Sequence, residues 1–287
     1  MALSVLKDIR KMYAGLNAEG IRKSASRDFN VGLMAGSAED YRALETLLAP
    51  EWLPAGDRAA ALRVAQTVDG SPVERFDFIL AAPGMPIPKN GYGVGPGNRE
   101  AVVREIVADH SDLELALGKS FPLFRRPVAD RIIQRVSREN ALFSLTTALP
   151  NVIPSVVDLP WAVGEFATDT AFLTLNQVRM ALLMAAAHGH AVGYAEQKGE
   201  IAAIAAGAFG WRALARELVG KIPLGGGLIP KAAIAFAGTY VVGLGLEKVN
   251  RTGSRLSRRE QKDAYADAFA QGKAVVKDLA PSFVRKG

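Results

Sequence analysis

The stretch FNVGLMAGSAEDYRALETLL, Phe29 to Leu48, runs from an apolar segment through a glycine turn into an amphipathic pattern. The apolar residues Phe29–Ala35 predict a buried strand, and AEDYRALETLL predicts a helix that Pro50 closes. A second apolar run, Arg75–Ala82, follows after another helical stretch. Alternating strands and helices favour an α/β fold with a small parallel sheet.

The turn after the first predicted strand is the place where nucleotide-binding folds hold a phosphate, at the start of a helix. Here the turn is Gly36-Ser37, too short for a phosphate loop and without its lysine. Ser37 is predicted to cap the helix with Asp40, and Glu39 adds a second carboxylate to the first turn. At ~4 Å and an effective dielectric of ~20, each carboxylate would repel a phosphate charge by about 4 kcal/mol before screening. The pattern predicts a degenerate, P-loop-like sheet without a cofactor.

The tripeptide Gly118-Lys119-Ser120 has the letters of a phosphate loop but not its context. Leu113 stands where the loop needs its first glycine, and Pro122 follows too soon for a helix to begin after Ser120. Asp77 does not begin the Asp-x-x-Gly pattern that positions magnesium, and no Asn-Lys-x-Asp base-reading motif occurs. The tripeptide is interpreted as a chance occurrence.

The segment Pro83–Asn98 is rich in proline and glycine and is predicted to be a functional or mobile loop, with Asn98 capping the next helix. It supports an alternative hypothesis of a nucleotide-binding, GTPase-like enzyme with an atypical phosphate loop. In that reading GTP or ATP with magnesium would bind Gly36 and Ser37, and Lys89 would supply positive charge.

The composition excludes several classes of protein. Hydrophobic residues make up 49% and charged residues 22%, which is typical of a folded chain rather than a disordered one. The formal charge is +6, but basic and acidic residues are interspersed, so no nucleic-acid partner is predicted. The chain has no cysteine, and His188 and His190 lack a third nearby ligand, so no metal site is predicted.

From about residue 140 onward the sequence predicts apolar helices. The predicted spans are Asp158 to His188 with Gly189 at its end, Ile201–Val219, Lys231–Val249 and a last amphipathic helix that opens with the capping box Ser257–Glu260 and precedes Pro281. An amphipathic helix is also predicted at the start of the chain, with Leu6, Ile9, Tyr13 and Leu16 on one face. The sequence thus divides into an α/β lobe, residues 1–120, and an all-helical hydrophobic lobe, residues 121–287, with helix dominating.

The sequence of the helical lobe does not decide whether its helices lie in water or in a lipid bilayer. Its uncharged windows are too short for a clean membrane span of about 20 residues. A polar line along the long predicted helix contains Glu165, Asp169, Asn176 and Arg179. It is interpreted either as a solvated face or satisfied internal network, or as a polar seam inside a lipid-facing bundle. The basic run from Arg251 to Lys262 is a solvated helix start or a surface for anionic headgroups.

The helical half also carries a resemblance. The segments FPLFRRPVADRIIQRVSRENALFSLTTALPNVIP, LPWAVGEFATDTAFLTLNQVRMAL and GWRALARELVGKIPLGGGLIPKAAIAFAGTYVVG resemble a bacterial family of unknown function. Its hydrophobic helical domain commonly follows an Era-like GTPase domain. The resemblance covers about Phe121 to Gly253 and implies a helical lobe that tends to be membrane-associated and to work with a GTPase-type lobe.

Taken together, these patterns predict a non-catalytic, membrane-associated scaffold or regulatory protein on the cytoplasmic side of the membrane, peripheral or inserted. Its predicted partners are an anionic lipid surface and a protein, in one reading a GTPase. Two alternatives remain open: the nucleotide-binding enzyme described above, and a soluble cytoplasmic partner-binding module whose interface is the loop or the polar line.

Overall fold

The computed structural model describes residues 16–68, 70–147, 169–207 and 228–284. Helices dominate, and a small parallel sheet accompanies them, as the sequence predicts. The chain forms two compact units. The described part of the sheet-containing unit comprises residues 19–68, 70–129 and 186–190, and that of the helical unit residues 16–18, 130–147, 169–185, 191–207 and 228–284. The division falls between Ala129 and Asp130, whereas the sequence placed it at residues 120 and 121.

The sheet-containing unit alternates strands with helices. Its strands are β1 (Val31–Met34), β2 (Ala65–Thr67), β3 (Phe78–Ala81) and β4 (Gly91–Gly93). Its helices are α1 (Ala18–Ala25), α2 (Ala38–Leu48), α3 (Ala55–Val64), α4 (Arg99–Asp109) and α5 (Glu114–Ser120). The two predicted strands and the helix between Gly36 and Pro50 are therefore confirmed.

The sheet is parallel throughout, with the strand order β2-β1-β3-β4. In the register, Val31 pairs with Ala65 on one side and Phe78 on the other, and Met34 lies opposite Ala81. Every side chain of β3 is buried, which agrees with the continuous apolar run that the sequence shows there. The edge strands β2 and β4 were not predicted, because Ala-Gln-Thr and Gly-Tyr-Gly are short and carry little β-forming signal.

The Pro83–Asn98 segment is not wholly a loop, since β4 lies inside it. The Asn90 side-chain amide donates to the carbonyl oxygens of Val73 (3.0 Å) and Phe76 (2.8 Å), which fixes the amino end of β4. Asn98 occupies the N-cap position of α4, as predicted, but its side chain makes no capping hydrogen bond to the helix. It instead accepts from the Gly95 N–H at 2.7 Å and donates to the Gly93 carbonyl at 2.9 Å. These bonds close the turn that follows β4.

The helical unit contains most of a long helix, whose first residues, up to Ala129, belong to the other unit. Its helices are α6 (Pro122–Thr146), α7 (Asp169–Ala187), α8 (Lys198–Ala205), α9 (Leu228–Thr252) and α10 (Arg258–Val284). The predicted end of the long helix before Gly189 is confirmed, and this glycine has a φ of 79°. Of the predicted helix Ile201–Val219, the first residues belong to α8, which ends at Ala205, and Gly207 adopts a φ of 65°. Residues 208–219 lie outside the described residues. The predicted stop at Pro281 is also wrong, since α10 continues to Val284.

Helices α9 and α10 form an antiparallel hairpin. Lys248 meets Glu260 near the turn, and Gly272 packs against Ala233 and Phe236 at the other end. A Cβ at Gly272 would lie 3.1 Å from the Ala233 carbonyl oxygen, so the absence of a side chain permits this close approach. The hairpin core joins residues of α6, α9 and α10, namely Ala141, Leu145, Ala232, Phe236 and Val276.

One described helix, α9, is long and apolar enough to cross a membrane, counted from Ile229 to Thr252. Two thirds of its most apolar window is buried inside the protein (67%), as in the core helix of a bundle. Across the described ranges, the strongly exposed large apolar side chains are Trp52 and Ile87, both in the sheet-containing unit. The helical unit therefore packs its apolar helices against one another.

Of the amphipathic helix predicted at the start of the chain, Leu6, Ile9 and Tyr13 lie outside the described residues, whereas Leu16 is described and buried.

Candidate functional site

The carboxyl ends of β1 and β3 form the first candidate site. Because β2 lies beside β1 and β4 beside β3, the chain leaves these two central strands in opposite directions. Ligands of open α/β sheets bind at such a reversal point, in the crevice beyond the carboxyl ends of the strands. Gly36 and Ser37 follow β1 at this edge, and Ala82 and Pro83 follow β3.

Ser37 closes the amino end of α2 with its own side chain. Its hydroxyl oxygen accepts a hydrogen bond from the Asp40 N–H at 3.1 Å, as predicted for the cap. The same hydroxyl donates to the Asp40 carboxylate at 2.7 Å. The Asp40 carboxylate therefore accepts from the Ser37 hydroxyl, whereas in a capping box it would accept from the Ser37 N–H. Glu39 also lies in this first turn. The carboxylates of Glu39 and Asp40 therefore already compensate the positive amino end of the α2 dipole.

The residues of the alternative nucleotide site do not converge. Gly36 is exposed, and a Cβ there would lie 3.3 Å from the Met85 sulfur, so the Met85 side chain lies beside the turn. Lys89 precedes Gly91, the residue of β4 that pairs with Ile79, and so lies at the amino end of the parallel strands. Ser37 follows the carboxyl end. The structure brings Gly36 and Ser37 together and leaves Lys89 at the opposite edge of the sheet.

A small cavity opens beside this crevice, between α2, the ends of β3 and β4, and the start of α4. Its volume is about 140 Å³, and Asp40 and Arg99 are its charged lining residues. The rest of its lining consists of Ala43, Leu44, Leu47, Ala82, Pro83, Val94, Gly95 and Pro96. Binding sites for cofactor-sized ligands usually measure roughly 300–1,000 Å³. This cavity has room for a short aliphatic group or a few waters.

The Gly118-Lys119-Ser120 tripeptide forms the last turn of α5, the negative end of a helix. A Cβ at Gly118 would lie 2.8 Å from the Ala187 carbonyl oxygen, so the glycine serves a close backbone approach. The Lys119 ammonium donates to the Ser26 hydroxyl at 3.0 Å. All three observations give the tripeptide a structural role.

The second candidate site is the polar line of α7, which the structure partly describes. Glu165 lies outside the described residues, and Asp169 begins α7 without a described side chain. Asn176 is fully buried, and the side chain of Arg179 is 19% exposed. For Asn176 and Arg179, the structure therefore supports the internal network of the first interpretation and not a solvated face.

The Glu139 carboxylate of α6 accepts hydrogen bonds from both Asn176 and Arg179. The Arg179 guanidinium donates to the Glu139 carboxylate at 3.0 Å, and the Asn176 amide donates to the same oxygen at 3.0 Å. The Asn176 amide also donates to Asn140 Oδ1 at 2.9 Å. One carboxylate thus holds a cation and an amide inside the bundle.

The polar network extends to α9 through Asn140, which is fully buried. The Asn140 amide donates to the Thr239 hydroxyl at 2.7 Å, and the Gln177 amide lies 3.4 Å from the same oxygen. The network therefore links α6, α7 and α9. Sequence reasoning missed Glu139, Asn140 and Thr239, although the polar pair Glu139-Asn140 between apolar residues of α6 was an available signal.

A third polar cluster lies where β4 meets the end of α4. The Tyr92 hydroxyl donates to Asp109 Oδ2 at 2.9 Å and lies 3.2 Å from His110 Nε2. Burial, the hydrogen bond to Asp109 and nearby carboxylates raise the pKa of the Tyr92 phenol. The phenol therefore keeps its proton at neutral pH and acts as a hydrogen-bond donor, and its ring packs edge-on against Phe78. The cluster anchors the edge strand.

His188 and His190 have nearly parallel rings with centroids 6.4 Å apart. Over the described ranges, no group of three potential metal ligands converges at these or other residues.

No protein-family model, no curated protein and no solved structure matches this chain.

Proposed function

We propose that this chain is a non-catalytic, membrane-associated scaffold or regulatory protein on the cytoplasmic side of the membrane. In this proposal the sheet-containing unit is a degenerate, P-loop-like lobe, and the helical unit provides the membrane-associated part. The observation that carries the proposal is the closed amino end of α2, where Ser37 and Asp40 bond to each other.

The electrostatics of this turn oppose nucleotide binding. A phosphate at a helix start needs free N–H donors and a positive field. Here the Asp40 N–H already donates to Ser37, and two carboxylates lie in the first turn. The neighbouring cavity of about 140 Å³ is smaller than a nucleotide requires. These features oppose phosphate binding at the turn and so support a non-catalytic role for the lobe.

Association with the membrane surface is supported by the helical unit. Helix α9 is apolar enough to enter a bilayer, but its surroundings in the bundle bury most of it. Glu139 and Arg179 are paired inside, and the described helices expose no large apolar side chain strongly. We therefore favour a peripheral mode, in which basic side chains meet anionic headgroups.

A protein partner is the second candidate function. The exposed fractions of Trp52 and Ile87 are 69% and 60%, so both large apolar side chains are open to a partner. Exposed aromatic residues are common anchors of protein interfaces. The resemblance to a domain that follows GTPases makes a GTPase-type protein one candidate for this partner.

Two measurements on the full chain test the proposal. Titration with fluorescent GTP and ATP in the presence of magnesium should show no saturable binding, and micromolar affinity would overturn the non-catalytic assignment. If binding occurs, a Gly36→Trp variant reports whether the β1 turn holds the nucleotide. Sedimentation with anionic liposomes should recover the protein in the pellet. A protein that stays in the supernatant would overturn the membrane assignment.

A further inference from the structure

The connection between α9 and α10 is a compact basic segment, which we call the basic turn, residues 251–262. It contains one acid, Glu260, and five basic residues, Arg251, Arg255, Arg258, Arg259 and Lys262. The turn sits at the end of the α9–α10 hairpin, and most of its side chains are exposed. Its charge is therefore presented to solvent.

The carboxylates near the basic turn are already engaged. Glu260 accepts from the Lys248 ammonium at 2.7 Å and from the Ser257 N–H at 2.7 Å. The Ser257 hydroxyl accepts from the Glu260 N–H at 3.2 Å, which completes the predicted capping box and occupies the start of α10. Glu247, whose side chain is 3% exposed, accepts from Arg251 at 2.8 Å. The local acids thus pair with Lys248 and Arg251, and Asp263 lies 3.9 Å from Arg259.

Three basic side chains of the turn remain available, namely those of Arg255, Arg258 and Lys262. They are exposed, and none of them has a carboxylate within 4.0 Å in the described part of the chain. The Gln261 amide donates to the Leu256 carbonyl at 3.1 Å, which ties the turn to the first turn of α10. The three charges therefore project from a fixed backbone.

We infer that the basic turn is the element that docks on a bilayer surface, with Arg255, Arg258 and Lys262 contacting anionic phospholipid headgroups. This inference rests on the proposed membrane association and assigns it to one end of one hairpin. Guanidinium groups bind phosphate oxygens through paired hydrogen bonds, and the lysine adds a point charge. The turn has no exposed aromatic ring on which bases could stack, so its chemistry favours headgroups over single-stranded nucleic acid.

The test compares the wild-type chain with two triple variants by flotation with phosphatidylcholine vesicles, with and without phosphatidylglycerol. The test variant is Arg255→Gln, Arg258→Gln, Lys262→Gln. The matched control is Lys23→Gln, Arg42→Gln, Arg75→Gln, which removes the same residue types from exposed positions of the sheet-containing unit. Both variants lower the formal charge of +6 by three. Thermal unfolding checks that both remain folded.

The wild type and the control should bind vesicles that contain phosphatidylglycerol, and the test variant should lose about 100-fold in partition coefficient. If the wild type and the test variant bind equally, the inference fails while the proposed membrane association stands. If the wild type binds no vesicle, both fail. An equal loss in both variants would assign binding to net charge and overturn the inference. Tighter binding of the wild type to a DNA duplex, lost in the test variant, would also overturn it.

Discussion

Arg179 of α7 donates to the Glu139 carboxylate of α6 at 3.0 Å, and more than four fifths of each side chain is buried. The same carboxylate oxygen accepts from the Asn176 amide, so the ion pair continues into the network that reaches Thr239. A charge removed from water to this extent destabilises the folded state unless an opposite charge compensates it.

Replacing Arg179 with methionine should destabilise the protein by about 2 kcal/mol, because the Glu139 carboxylate then keeps only the Asn176 amide as a described donor. Urea denaturation measures the change. The control is Arg104→Met, which removes an ion pair with Glu100 at 3.7 Å. The Arg104 side chain is 65% exposed and that of Glu100 is 90% exposed. Its expected cost is below about 0.5 kcal/mol. Equal costs for the two variants would show that the buried pair is not special.

Gly118→Ala should cost about 1–3 kcal/mol, because the new Cβ would lie 2.8 Å from the backbone oxygen of Ala187. The matched change Gly56→Ala in α3 meets no atom within 4 Å and should stabilise the protein by about 0.5 kcal/mol. The two unfolding midpoints should therefore move in opposite directions. A harmless Gly118→Ala would mean that α5 does not approach Ala187 so closely.

Acidic pH should remove the contribution of the ionised Glu260 carboxylate to the stability of the folded protein. The hydrogen bond from Lys248, followed by those from Ser257, lowers the pKa of this carboxyl from 4.5 to about 2. A lowered pKa in the folded state stabilises the protein above the unfolded value, and this stabilisation is lost as the pH falls from 4.5 towards 2.

The stability difference between the wild type and Glu260→Gln should therefore shrink over that range. Urea midpoints at several pH values measure it, with Asp263→Asn as the control on the same helix. A difference that is independent of pH would contradict the prediction.

Tyr265→Phe should stabilise the protein by about 1 kcal/mol at neutral pH, because the buried Tyr265 hydroxyl has no hydrogen-bond partner among the described residues. Tyr92→Phe is the matched change with the opposite sign, since the Tyr92 hydroxyl bonds Asp109 at 2.9 Å. Its loss should cost about 1 kcal/mol. A destabilising Tyr265→Phe would indicate that its hydroxyl finds a partner in solution.

Alkali gives a second test of Tyr265. Burial raises the pKa of its phenol from 10.0 to about 12. The raised pKa stabilises the folded state below the unfolded value, and this stabilisation is lost as the pH rises from 10 towards 12. Absorbance titration of the tyrosines should therefore show a late transition that is missing in Tyr265→Phe. An unchanged titration curve would contradict the burial.

The sequence by itself determined β1, β3, α2 and the capping box at Ser257 and Glu260. These features depend on local causes, namely apolar periodicity, the Gly36 turn and capping side chains three residues apart. The same local reasoning identified Ser37 as a cap. It also predicted the end of α7 at Gly189, because a left-handed residue suits glycine.

Only the tertiary structure decided the edge strands and the polar network. Three-residue strands such as Gly91–Gly93 form because a neighbouring strand offers its N–H and carbonyl groups. Glu139, Asn176 and Thr239 belong to three helices far apart in the chain, and their bonds exist only when those helices pack. Local sequence accounts for the central strands, the turn and the caps, whereas the edge strands and the pairing of buried polar groups depend on which distant segments the core brings together.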